Sequence, residues 1–246
     1  MKKRPKVGFL SKSTSRHKGR MSAISEKTSP KDPFDGKEYY LLHNFGFERK
    51  IIFSSKEDYD RFEAYLYLLN AIESPRASNY FLDGRESSIF SAARGEKLIA
   101  IGAYSFTPKE FHILATPLVE KGIARFMQKL QTAYTMYFNK KYVRSGRLFH
   151  SRYESEVAYS DDHLKYIFAS IHLNPAVLFN DEWESKEGIE LESLAASAMK
   201  YRYSSANEYM TATPLITTPI EFPKYLSGAN DARKHVQFWL KNRPQV

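Results

Sequence analysis

The chain has 246 residues, with 37 Lys and Arg against 28 Asp and Glu, a formal net charge of +9, 42% hydrophobic and 15% aromatic residues. That length and apolar content exclude wholesale disorder and suffice for a core in one domain, at most two. The absence of cysteine excludes disulfides, thiolate zinc sites and cysteine nucleophiles. No apolar run reaches the ~18–20 residues of a membrane span, and the basic N-terminus lacks the apolar segment of a secretory signal. The expectation is a soluble, cytoplasmic protein with no membrane partner.

The charge is unevenly placed. Residues 1–31 hold ten basic residues and one acid, Glu26, and so carry all of the +9. A basic tail points to a polyanion, usually nucleic acid, or else to a solubilising leader. Residues 1–37 mix these charges with Ser, Thr, Gly and Pro and read as a disordered arm.

The folded body begins with an apolar run over 39–44, a first strand that turns at Phe45-Gly46. Ser54-Ser55 caps a helix over 56–70, where Tyr59, Phe62, Tyr65, Leu66 and Leu69 recur at helical spacing. Residues 73–96 are a polar connection with a short helix around 86–94. Residues 97–106 and 110–116 read as strands joined by the turn Thr107-Pro108-Lys109, an antiparallel hairpin. A long helix over 119–140 shows one apolar face, with Lys121, Arg125 and Lys129 as a separate stripe. A loop over 142–153 follows, then a short strand at 154–159. A helix from 161 to about 173 is capped by Ser160 or Asp161 and stopped by Asn174-Pro175. Residues 181–192 are acidic. Further helices are expected near 189–199 and 229–241. This order implies an α+β fold, an antiparallel sheet with helices packed on one side. The domains expected are the arm at 1–37, a body at 38–212 and a C-terminal extension with a short helix at 213–246.

Three stretches carry candidate chemistry. Residues 121–153 hold eight basic residues and no acid: Lys121, Arg125, Lys129, Lys140, Lys141, Arg144, Arg147 and Arg152. Aromatics are interleaved with them, a combination that suits phosphates and unpaired bases. Within Arg144-Ser145-Gly146-Arg147, the glycine would let backbone approach a phosphate. On the second hairpin strand, Glu110 and His112 point to one face while Phe111 points to the core. A carboxylate beside an imidazole suits Mg²⁺ or Mn²⁺, or is a plain surface pair. Tyr166, Ser170 and Asn174 share a helical face at i, i+4 and i+8, with Asn174 either an oxygen ligand or a helix stop.

Five segments, in order, resemble the single-tyrosine HUH transposases, in the branch that includes the REP-associated tyrosine transposases. They are HNFGFERKIIFSSKEDYDRF, AYSFTPKEFHILATP, RFMQKLQTAYTMYFNKKYVRSGRLFHSRY, HLKYIFASIHLNP and YRYSSANEY. The resemblance spans about residues 39–209. It implies the HUH-endonuclease (ferredoxin- or RRM-like) architecture and binding of single-stranded or hairpin DNA. It also implies a 5′-phosphotyrosine intermediate, a divalent metal and a homodimer. In that family two histidines flank an apolar residue; here the first position is Glu110 and the second His112. Asn174 matches the amide ligand, and the nucleophile position is Ser170 rather than Tyr. Tyr166 lies one turn earlier, roughly 6 Å along the helix. A serine hydroxyl is harder to deprotonate than a phenol and sits on a shorter side chain. The expectation is a transposase-like DNA-binding protein with cleavage lost or weakened. The alternatives are an active strand-transfer enzyme using Tyr166 with a Glu110/His112/Asn174 metal, and a metal-dependent hydrolase that activates water.

Overall fold

The computed structural model describes residues 38–82 and 86–242. The expected basic arm at 1–37 lies outside the described residues. The body is built from strands β1 (Tyr40–Phe45), β2 (Ile99–Thr107), β3 (Glu110–Pro117) and β4 (Glu154–Val157). Its helices are α1 (Lys56–Leu68), α2 (Ala77–Leu82), α3 (Gly122–Lys141), α4 (Asp161–Leu173), α5 (Gly188–Met199), α6 (Ala206–Thr211) and α7 (Ala229–Asn242), with short 3-10 turns between them. The expected elements are present, with ends shifted by one to three residues where 3-10 turns or caps intervene.

The four strands form one antiparallel sheet in the order β2-β3-β1-β4. β2 and β3 are the expected hairpin, closed by Pro108-Lys109 between the paired Thr107 and Glu110. A register shift between Ile101 and Ala103 bulges β2 at Gly102, which sharpens the local twist.

Helices cover both faces, which corrects the expectation of one-sided packing. The alternation along β2 and β3 sends Phe106, Phe111 and Ile113 into a core with Phe62 of α1 and Phe126, Leu130 and Tyr134 of α3. Phe62 meets Phe106 edge-on at 5.0 Å and Tyr134 at 4.9 Å, the geometry aromatic quadrupoles favour. The opposite face carries Leu41, His43, Glu110, His112 and Leu114 and is covered by α4. A second apolar cluster of Ala169, Leu173, Leu191, Ala195 and Val236 joins α4 to α5 and α7. The sequence order of elements could not reveal this second layer, because α4 is amphipathic on two sides.

β2 is an edge strand in the ladder, yet all nine of its residues are buried. Its outer edge is sealed by chain from the last quarter of the sequence. Phe106 N donates to Tyr203 O at 3.0 Å, Ser205 N to Tyr104 O at 2.9 Å and Thr218 N to Ile101 O at 2.8 Å. Backbone groups that would otherwise template foreign strands are thereby paired. Residues 213–242 therefore pack onto the body: Thr218 on β2, and α7 against α4.

The start of α1 and the end of α3 are locked by one carboxylate. Asp58 is fully buried and accepts five hydrogen bonds. They come from Ser54 N, Ser55 N, Tyr137 Oη, Lys141 Nζ and Tyr142 Oη at 2.7–3.0 Å. Burial alone would raise its pKa, but the Lys141 ammonium and these donors outweigh it and hold the carboxyl below its ordinary value. Its contribution is thus complete above about pH 4 and is lost as the pH falls below that. Asp58→Ala removes the acceptor of both phenols and leaves Lys141 only Ser55 and the more distant Glu57, and is expected to cost about 3 kcal/mol of folding free energy. Urea denaturation at pH 7 measures this loss.

Candidate nucleic-acid interface

The basic residues singled out in sequence divide into two groups. Lys121, Arg125, Lys140, Ser145, Gly146, Arg147 and Arg152 are exposed, and Arg144 is half-exposed. Among the described residues, Lys121 pairs only with its neighbour Glu120, at 3.7 Å. Arg125, Lys140, Arg144, Arg147 and Arg152 make no ion pair with any described residue. Lys129 and Lys141 are different. Lys129 Nζ donates to the carbonyls of Ala71 and Ile72 and to Ser74 Oγ at 2.7–3.0 Å, and burial lowers its pKa. Lys141 is bound to Asp58 and Ser55. The expected 121/125/129 stripe is broken at its third member, which ties the chain after α1 to α3.

The loop after α3 is fixed at both ends. Arg144 N donates to Asn139 O, and Asn139 Nδ2 donates to Gly146 O at 2.8 Å. Gly146 has φ of +86°, the left-handed region where a side chain is strained. Phe47 N donates to Leu148 O and His150 N to Phe45 O, so the loop is zipped to the end of β1. Arg144 and Arg147 are consequently presented from a braced segment rather than a free one.

On the α4 face of the sheet, Glu110 and His112 do project together, as expected, and Phe111 is buried in the other core. The register pairs His112 with His43, whose rings stack at 5.5 Å. His43 Nε2 lies 3.6 Å from Glu154 on β4. Partial burial lowers the His43 pKa against the opposing pull of Glu154 and Glu110. Glu110 faces Arg49, whose Nη1 is 3.7 Å from Oε2. His43, Glu154 and Arg49 were missed in sequence. His43 stands two residues from Leu41 in an apolar strand, and only the β1–β3 register brings it opposite His112.

This donor set does not fit a resident Mg²⁺ or Mn²⁺. Among the described residues no group of three or more His, Asp or Glu side chains is placed to hold a metal ion. A guanidinium already stands beside the Glu110 carboxylate, where its charge repels a cation.

The helix residues are placed as follows. Ser160 caps α4, accepting from His163 N at 3.1 Å. Tyr166 is half-buried, its ring centroid 6.0 Å from Trp239 of α7 and 6.2 Å from His163. Ser170 Oγ donates back to Ile167 O at 2.9 Å, the usual resting place of a serine inside a helix. Asn174 ends α4, and its buried Nδ2 has no hydrogen-bond acceptor among the described residues.

No protein-family model matches the chain, and no curated protein matches it. A solved structure of a REP-associated tyrosine transposase bound to a REP hairpin aligns with it at 10% identity and a TM-score of 0.44. The alignment covers 80% of this chain and 91% of that one. At that level the likeness decides nothing about function. Among the described residues, no helix is long and apolar enough to cross a membrane.

α4 is anchored to the edge of β2 through His172. Its ring is fully buried and its Nε2 lies 2.8 Å from Ser205 Oγ, which accepts from Tyr104 N at 2.9 Å. Burial pushes the imidazole pKa down to about 4. The unfolded chain takes up the proton first as the pH falls through about 6.5, so stability declines from there toward the folded value. The loss expected between pH 7 and pH 5 is about 2 kcal/mol. His172→Gln flattens that slope, which urea titrations at the two pH values read directly.

Proposed function

We propose that the protein is a transposase-like DNA-binding protein that holds single-stranded or hairpin DNA and has lost strand cleavage. The exposed cations around α3 and the braced loop carry the reading. Five of them make no ion pair with any described residue, and such charges gain by displacing counterions from a phosphate backbone. The segment order of the sequence supports DNA as the polyanion.

Loss of cleavage is supported by Ser170. At the position where the family has its nucleophile, this chain has a short hydroxyl turned back onto its own helix. No general base is in hydrogen-bond contact with it among the described residues, so nothing raises its nucleophilicity. Tyr166, the remaining phenol on that face, packs against Trp239.

Hairpin binding followed by fluorescence anisotropy tests the reading. Arg144→Ala, Arg147→Ala and Arg152→Ala together are expected to weaken binding and to lower the slope of log affinity against log salt by about 3. Lys129→Ala and Lys141→Ala are expected to lower thermal stability and leave the salt slope unchanged. Absence of hairpin binding at low salt by the full chain would overturn the reading. A covalent protein–DNA adduct that Tyr166→Phe abolishes would replace it with an active strand-transfer enzyme.

A further inference from the structure

We propose that Arg49 supplies the positive charge that a divalent cation would bring, so that the end of the sheet is a metal-free phosphate clamp for single-stranded DNA. This rests on the DNA-binding reading above and adds to it a second contact region.

The clamp is built from the turn after β1. That turn hangs from the β2–β3 hairpin, with Gly46 N donating to Lys109 O at 2.9 Å and Ile52 N to Pro108 O at 2.8 Å. A Cβ on Gly46 would stand 2.0 Å from Lys50 O, so only glycine permits the turn to close this tightly. Glu48 and Arg49 then both adopt left-handed backbone, with φ of 55° and 57°. Each non-glycine residue there costs about 1–2 kcal/mol. Such strain persists where the surrounding structure over-determines it, and it concentrates at functional sites.

The strain delivers one side chain to one place. The Arg49 guanidinium lies 3.8 Å from the centre of the Phe45 ring, and its side chain is half exposed. His150 stacks on the same ring, with centroids 4.6 Å apart. Lys50 pairs with Glu48 at 2.7 Å, and Arg49 faces Glu110 at the start of β3. Two residues along the chain, Phe47 carries the guanidinium of Arg147 at 3.7 Å. Phe47 opens the 3-10 turn that follows β1, so the two guanidinia lie on rings two residues apart in the chain.

A planar guanidinium laid on an aromatic ring keeps its N–H edges for an outside acceptor, and its fork matches two phosphate oxygens. The contact to Glu110 is longer than a hydrogen bond. It aims Arg49 at the sheet end beside His112 without consuming its donors. Phosphate oxygens can therefore take the guanidinium at little cost. The turn sits next to the Arg147 loop, so a strand leaving a hairpin held there is within reach of Arg49.

Anisotropy on two DNAs tests this, a blunt hairpin and the same hairpin with a single-stranded extension. Each is measured with Mg²⁺ and with EDTA. The extended hairpin is expected to bind equally well in both. Arg49→Ala is expected to weaken the extended hairpin about ten-fold and leave the blunt one unchanged. Arg49→Lys recovers part of the loss, and Glu110→Gln strengthens binding of the extension. The near-ultraviolet circular dichroism of each variant confirms its packing. The clamp is overturned if Mg²⁺ is required for the extension, or if Arg49→Ala and Glu110→Gln both bind it like the parent chain. If the parent chain binds neither DNA, the DNA-binding reading falls and takes the clamp with it. If it binds both DNAs but ignores position 49, only the clamp falls.

Discussion

The arrangement depends on a carboxylate that has no access to water. A buried anion is costly unless its lone pairs are filled, and Asp58 fills them from the chain before α1, from α3 and from Tyr142 beyond it. Helices in α+β folds are commonly held to a sheet by apolar contact, which is non-directional. The Asp58 bonds are directional, so they fix where α3 ends and at what angle its chain departs. The loop that follows can then be zipped to β1 in one register, and the sides on which Arg144 and Arg147 emerge follow from that register. One acidic residue in a basic region thus positions cations that it does not itself neutralise.

A similar division runs through the rest of the charged groups. Glu63 is nearly buried and holds Arg202 by two bonds of 2.8 Å. Burial raises its pKa despite that pairing. Glu208 gathers the backbone N–H groups of Leu215, Ile216 and Thr217 and the hydroxyls of Tyr104 and Thr217, fastening the C-terminal segment to the sheet. Three acids, Asp58, Glu63 and Glu208, act as fasteners, while Arg125, Lys140, Arg144, Arg147 and Arg152 make no ion pair with any described residue. A near-neutral body can therefore still present a strongly polar surface.

Much of the fold was legible because it was written in short-range chemistry. The periodicity of residues 119–140, the cap at Ser160 or Asp161, the Thr107-Pro108-Lys109 turn and the Asn174-Pro175 stop all act within a few residues. The two-sided packing was not legible, since it depends on which strand faces α4. The site was legible in part. Glu110 and His112 were placed together by strand alternation alone. Lys129 was misread because a helical stripe gives direction but not destination, and the carbonyls of Ala71 and Ile72 lie more than fifty residues away. Arg49 and His43 could not be found, because one depends on a left-handed turn without glycine at its positive-φ positions and the other on a long-range register.

The seal along β2 has a consequence in time. Ser105 bridges to Ser204, about a hundred residues later in the chain. The hairpin of β2 and β3 can form early from local contacts, whereas the closing segment waits for a long loop to be searched and fixed. During synthesis that edge therefore stays bare until most of the chain has emerged. Its nine residues are apolar or small apart from two threonine or serine hydroxyls and one phenol, a composition prone to pairing with strands from other molecules. The last quarter of the sequence thus protects this edge only once it has emerged, and a chain truncated before residue 203 keeps the edge bare and is expected to aggregate.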